Sequence, residues 1–525
     1  MKNNLLLAAL FITSVSFSQK KKPDNWQTLD PMADKIYGVG AEEAYKTLKD
    51  KKSKTVIVAV IDSGVDPNHE DLKDVIWTNP KEIPDNGIDD DHNGYVDDVH
   101  GWNFLGGKNG DINHEASELT RMYQRESRKF SKMDTTKLTG DDAKQFEEFK
   151  TIRPKYLKEQ LQAVQQLQGI KVFSDFLGNV KAANNGILDK DAFKKYTPKN
   201  DMEGKINKRM KAVFAMGLIK PEELESQVKQ GYDQVSNQVN SSKMNADSIR
   251  QYIVGDDVNN VNERYYGNNH YQGPDALHGT HVSGMIAAVR NNKIGINGIA
   301  NDVKIMIIRA VPDGDERDKD IANSIRYAVD NGATIINMSF GKYYSPDKKA
   351  VDEAVQYAQS KDVLLIHAAG NESKDNDKEL SFPNREFLSG GVATNWINVG
   401  ASGADKGKTI IGSFSNYGAK KVDFFAPGVD IYSTIPDNKY TSESGTSMAC
   451  PSTAGAAAII REYFPELKSN EVRDVLMKTV TPYKGKVKVP GTKKDKKKLP
   501  ELCISGGFLN VNNAAKELLG LNKKK

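Results

Sequence analysis

Five short, near-continuous apolar runs constrain this chain more than any other feature: Val56–Val60, Val303–Ile308, Thr334–Met338, Val363–Ala368 and Ile397–Val399. Runs of that kind, rich in β-branched residues and lacking polar alternation, suit strands buried on both faces of a helix-covered parallel sheet. Helical spacing fills the gaps between them, over Asp320–Asn331 and Ser345–Ser360, and Met32–Asp50 reads as an amphipathic helix ahead of the first run. Strands alternating with helices predict an α/β fold in three layers around a mostly parallel central sheet. The first run ends in Ile61-Asp62-Ser63-Gly64. That places Asp62 at the carboxyl edge, where open α/β sheets carry their chemistry.

One region breaks the alternation. Residues 110–273 are rich in Lys, Glu, Gln and Asp and nearly free of strand-like runs, while Lys155–Gln168 and Pro221–Val235 have helical spacing. Phe173, Phe176, Leu177 and Phe214 supply apolar anchors. The region is therefore read as a largely helical insertion rather than a disordered linker. It interrupts a domain made of 19–109 and 274–519, and a basic tail, 520–525, closes the chain.

The N-terminus reads as an export signal. Lys2 is followed by the apolar run Leu5–Phe17 and by small residues up to Ser18, so residues 1–18 are expected to be a signal peptide cleaved after Ser18. The run is short of the roughly 20 residues that span a bilayer. The protein is expected outside the cytoplasm, periplasmic or extracellular, with no integral membrane association. Lys and Arg number 74 against 70 Asp and Glu, so charge implies no nucleic-acid partner. Cys450 and Cys503 are the only cysteines, open to reading as a bridge or as two buried small hydrophobes.

Three motifs carry chemistry: Val60-Ile61-Asp62-Ser63-Gly64, His278-Gly279-Thr280-His281 and Ser444-Gly445-Thr446-Ser447-Met448-Ala449-Cys450-Pro451. Each alone suits an ordinary strand end, helix start or turn. Together they hold what nucleophilic acyl transfer requires. A serine hydroxyl attacks only if a base takes its proton, imidazole does this near neutral pH, and a carboxylate fixes the ring's tautomer. The three lie far apart in sequence, so only a tertiary fold can bring them together.

At these residues the sequence resembles the subtilisin-like serine peptidases, or subtilases. Three further segments match in the same order. Ile336-Asn337-Met338-Ser339-Phe340-Gly341 resembles the substrate-binding strand, His367-Ala368-Ala369-Gly370-Asn371-Glu372 the oxyanion segment, and Phe425-Ala426-Pro427-Gly428-Val429 the approach to the serine. The resemblance covers roughly residues 30–105 and 275–515. It implies a subtilisin-like fold and a serine endopeptidase with catalytic Asp62, His278 and Ser447, assisted by Asn371 as oxyanion donor. His278 is chosen over His281, and Ser447 over Cys450. Protein or peptide substrates would pair with Ser339, Phe340 and Gly341. Their primary pocket would be walled by Ala368, Ala369 and Gly370 and closed near Ser381-Phe382-Pro383, with a medium or large apolar side chain as the expected occupant.

The stretch Asp89–Asp98 alternates oxygen-bearing residues around Gly94, the layout of a calcium loop. Asp89, Asp91, Asn93, the Tyr95 carbonyl and Asp97 are its candidate ligands, with an acidic surface turn as the alternative. His100 stands where a full EF-hand has Glu. The resemblance adds Asp71, beside the loop Val289–Gly295, as a second structural Ca²⁺ site. Many family members carry a propeptide of several tens of residues. Here about 40 residues separate Ser18 from the Asp62 strand, and they resemble the start of a mature catalytic domain. The insertion is expected to restrict substrate access or to assume part of a propeptide's task. Two other readings are a non-catalytic binding protein on the same fold and a dedicated maturation peptidase. The complete triad and oxyanion donor argue against the first.

Overall fold

The computed structural model describes residues 22–215, 221 and 224–521. The expected signal peptide and most of the basic tail lie outside them. By contact, Leu119–Ala246 form one compact unit, while 22–118 and 247–521 form another.

The larger unit is built on a nine-stranded sheet. Its members are β1 (Val56–Asp62), β2 (Gly101–Asn103), β5 (Val303–Arg309), β6 (Ile335–Met338), β7 (Leu364–Ala368), β8 (Trp396–Ser402), β9 (Phe424–Pro427), β12 (Thr481–Pro482) and β15 (Gly507–Phe508). They run in the order β12-β15-β9-β8-β7-β6-β1-β5-β2, and every pairing is parallel except β12 with β15. Three antiparallel ribbons stand apart: β3 (Gly106–Gly107) with β4 (Gly110–Asp111), β10 (Ile431–Ile435) with β11 (Lys439–Glu443), and β13 (Lys486–Lys488) with β14 (Lys496–Lys498).

All five predicted runs are strands, because each buries both faces. On β1, Val58 and Val60 enter one core cluster and Ala59 and Ile61 the other. The first cluster takes in α1 (Ala41–Leu48), α8 (Leu277–Ala287), α11 (Thr446–Tyr463), α12 (Ser469–Lys478) and α13 (Val511–Leu518); the second takes in α9 (Asp318–Asp330) and α10 (Lys348–Ser360). That is a three-layer α/β architecture. The helix expected over Met32–Asp50 begins only at Ala41. Asp30 accepts the Met32 and Ala33 N–H groups to form a turn, and Gly40 sits at φ 76°, a left-handed conformation that ends any continuous helix before α1.

The other unit is helical: most of α2 (Glu118–Phe130), then α3 (Gly140–Ala183), α4 (Lys190–Lys195), α5 (Asp201–Ala215) and α6 (Leu224–Ser241). Phe173, Phe176, Phe193 and Phe214 pack its core with Ile206, Met210 and Val228. A short helix, α7 (Ala246–Ile253), leads back to the sheet. There Arg250 pairs with Asp256 and Asp320, all three side chains fully buried.

Candidate active site

Asp62 is the last residue of β1, an interior strand flanked by β5 and β6 and third from the β2 edge of the sheet. Its Oδ1 accepts the Ser63 N–H at 2.8 Å and lies 2.7 Å from His278 Nδ1. His278 stands in the first turn of α8. The close approach of α8 to β1 requires Gly279, since a Cβ there would lie 2.1 Å from Gly64 O and 3.2 Å from Asp62 Cβ. Burial pulls the His278 imidazole down, yet the Asp62 carboxylate outweighs it, with Glu443 and Asp275 adding to it, so the pKa is held above its ordinary value. The side chain remains 38% exposed, open to an incoming group.

His281, one turn on, is fully buried, with Nε2 3.1 Å from Ile431 O and 3.3 Å from Thr441 O. Burial lowers its pKa to about 3. It is a neutral packing residue.

Ser447 lies in the first turn of α11, whose small residues let the helix run buried through the core. First-turn N–H groups have no intrahelical acceptor and face a positive dipole end. The Ser447 hydroxyl donates to Ser339 O at 3.0 Å, and the Ser339 hydroxyl donates to Ser447 O at 2.9 Å. Asn371 Oδ1 is held by the Thr446 N–H at 2.8 Å and the Thr446 hydroxyl at 2.9 Å. With its oxygen so occupied, the amide leaves Nδ2 as a donor. A Cβ on Gly445 would lie 3.5 Å from both Asn371 Nδ2 and Ser447 N, so the glycine keeps open the space between two converging donors. Cys450 is buried beneath them, its thiol 3.2 Å from Ile366 O and its pKa raised by burial to about 12. Cys503 is buried and unpaired too.

Ser339, Phe340 and Gly341 follow β6, and Ala368, Ala369 and Gly370 end and follow β7, so the predicted peptide-pairing segment and the predicted pocket wall sit on adjacent strands. Lys342 pairs antiparallel with Phe382, which brings the predicted closing segment against them.

Two residues escaped the sequence reading. Arg309, the register partner of Asp62 on β5, is 1% exposed and donates to Ser63 O, Asn103 Oδ1 and Ile112 O. It braces the turn whose N–H holds the Asp62 carboxylate. The polar residue closing an apolar run was its only signal. The second is Glu82, whose carboxylate lies within 4.8 Å of those of Asp89 and Asp91. Glu82 is 7% exposed, and its Oε2 has no hydrogen-bond partner. Three carboxylates, one with a buried unpartnered oxygen, fit a hard cation. Nothing in the Pro-flanked loop around Glu82 marked it in sequence. Asn93 Oδ1 accepts the Tyr95 N–H, and Asp97 accepts the Asn86 and Gly87 N–H groups. Asp71 stands in another loop, accepting from Asn292 Nδ2 and the Ile296 N–H.

The Subtilase family profile matches residues 53–503. Subtilisin DY from Bacillus licheniformis is 37% identical over 206 residues, covering 39% of this chain and 70% of the relative. A thermophilic serine proteinase from Bacillus sp. (strain AK1) is 41% identical over 184 residues, 35% of this chain and 42% of the relative. Subtilisin Savinase from Lederbergia lenta is 36% identical over 206 residues, 39% of this chain and 70% of the relative. Among solved structures, one titled as proteases from Pseudoalteromonas arctica PAMC 21717 aligns over 94% of this chain and 97% of its own, at 18% identity and a TM-score of 0.47. The profile match, spanning well over half the chain, establishes that this protein belongs to the subtilase family of serine peptidases and is a subtilisin-like serine endopeptidase.

Proposed function

We propose that the protein is an exported endopeptidase that hydrolyses peptide bonds through an acyl-enzyme on Ser447. The observation that carries this reading is the 2.7 Å contact between Asp62 and His278 at the sheet edge where α11 presents Ser447. A peptide would lie extended along Ser339–Gly341, bound largely through its backbone. The Ser447 hydroxyl turns from Ser339 O to His278 Nε2, a rearrangement consistent with the loose geometry of unliganded sites. Its oxygen attacks the carbonyl carbon as its proton passes to His278. The oxyanion settles between the Ser447 N–H and Asn371 Nδ2, and the imidazolium returns the proton to the leaving amine. Water repeats the sequence and frees Ser447.

The N-terminal Lys2 and apolar Leu5–Phe17 support export. Among the described residues, no helix is long and apolar enough to cross a membrane. Ca²⁺ held by Glu82, Asp89 and Asp91 would neutralise a crowded acidic loop and play a structural part. A fluorophosphonate probe tests the core of the reading. It should label the full chain at one site and fail on Ser447→Ala; labelling that survives the substitution refutes it.

A further inference from the structure

The β10–β11 ribbon packs on α8, the helix that carries the catalytic base. His278, His281 and Met285 share one face of that helix, at i, i+3 and i+7. Ile431 of β10 packs against Met285 and against Met448, the residue after Ser447. Its carbonyl and that of Thr441 approach His281 Nε2 at 3.1 and 3.3 Å. Glu443, the last residue of β11, is the register partner of Ile431. Directly paired residues of an antiparallel ribbon project from the same face. The Glu443 side chain is thereby turned toward α8 and the start of α11.

Glu443 is half-buried, and among the described residues no hydrogen bond or ion pair engages its carboxylate. His278 is the charged group that acts on it, and the carboxylate acts in turn on the imidazole. Asp275, exposed just ahead of α8, adds a further negative charge near the ring. The cations of the adjoining segments are engaged. Lys22 pairs with Asp430 and Lys439 with Asp437, while buried Arg309 faces Asp111 and Asp275. Asp62 is bonded to His278 itself. This leaves Glu443 a partly desolvated carboxylate beside the base with no bonding partner of its own, an arrangement that favours a cation from outside.

We infer that Glu443 is a specificity-determining residue on the leaving-group side of the cleft and selects a basic side chain, arginine or lysine, at the residue following the cleaved bond. The inference rests on the peptidase reading above. His278 hands its proton to the leaving amine, so the residue that carries this amine departs past the imidazole and the carboxylate next to it. A guanidinium or ammonium there gains a counter-charge that a neutral side chain cannot use. A glutamate side chain meets like charges from Glu443 and Asp275. Because Glu443 is only half-buried, solvent screening holds the preference to a fewfold effect.

The test is a set of internally quenched fluorogenic peptides, identical except for Arg, Gln or Glu after the scissile bond, cleaved by the full-length enzyme at pH 8. Arg should exceed Gln in kcat/KM by about fivefold, with Glu below Gln. Glu443→Gln should bring the Arg-to-Gln ratio toward one, and Glu443→Lys should place Glu above Arg. Ratios within one variant do not depend on how much of it folds. Arg equal to or below Gln on the unmodified enzyme overturns the inference, whatever the variants do, and so does a preference that Glu443→Gln leaves intact. Fluorophosphonate labelling of Ser447 without an Arg preference overturns the selectivity alone. No label and no cleavage of any peptide overturns both readings.

Discussion

Asp62→Asn isolates what the carboxylate contributes, because the side chains are isosteric. Asp62 Oδ1 accepts from both the Ser63 N–H and His278 Nδ1, whereas Oδ2 is buried with no partner. An asparagine has two ways to fit. With its oxygen at the Oδ1 position it keeps both bonds but buries an amide N–H₂ without an acceptor, at about 1–3 kcal/mol. Flipped, it sets N–H₂ against the Ser63 N–H and donates to His278 Nδ1, forcing the ring hydrogen onto Nε2, where the ring cannot act as a base. Either way the imidazolium loses its counter-charge. The expected loss is on the order of 10⁴ in kcat, about 5 kcal/mol at 1.36 kcal/mol per decade. The pH profile adds a second readout. Activity requires neutral His278, whose pKa Asp62 holds above its ordinary value against burial. Removing the charge therefore moves the acidic midpoint of kcat/KM to lower pH. The assay is hydrolysis of a fluorogenic peptide between pH 4 and 10, with thermal melts to confirm folding. A folded variant within tenfold of the parent, its acidic midpoint unmoved, would refute this account of the pair.

Three other outcomes are expected. Calcium should raise the melting temperature relative to EGTA, since ligand at 100 times its Kd adds about 2.7 kcal/mol, and Glu82→Gln should shrink the difference; equal melts in calcium and EGTA tell against the site. Glu462, fully buried, accepts the Asn301 and Asp302 N–H groups, and burial raises its pKa from 4.5 to about 7. Between those values the unfolded chain has lost a proton that the folded one keeps, so stability falls as pH rises, by at most about 3 kcal/mol. Glu462→Gln should remove this dependence, read from urea melts at pH 5 and 8. Burial raises both thiols to about 12, so iodoacetamide should leave Cys450 and Cys503 intact in the native enzyme and alkylate both in denaturant; rapid native alkylation would contradict the burial.

Much of the fold could be read from the chain because its signals are local. A run such as Val58–Ile61 is apolar at every position, and only a strand covered on both faces buries all of it. Short elements escaped: β2, β12 and β15 hold two or three residues each and carry no periodicity. Helix starts set by turns, such as that of α1 at Ala41 after the left-handed Gly40, depend on backbone conformations that composition does not reveal.

The sequence by itself determined the three-layer α/β class, the helical character of the inserted segment, and the residue types that acyl transfer needs, in an order that resembles one family. Tertiary structure alone decided which groups meet. It set Asp62 against His278 rather than His281, tied the Asn371 oxygen to Thr446 so that its nitrogen is free, and placed Glu82 beside Asp89 and Asp91. The reason is physical. Periodicity and propensity act over a few residues, whereas hydrogen bonds, desolvation and charge act through space. A side chain's chemistry is therefore fixed by neighbours that its own stretch of sequence does not contain.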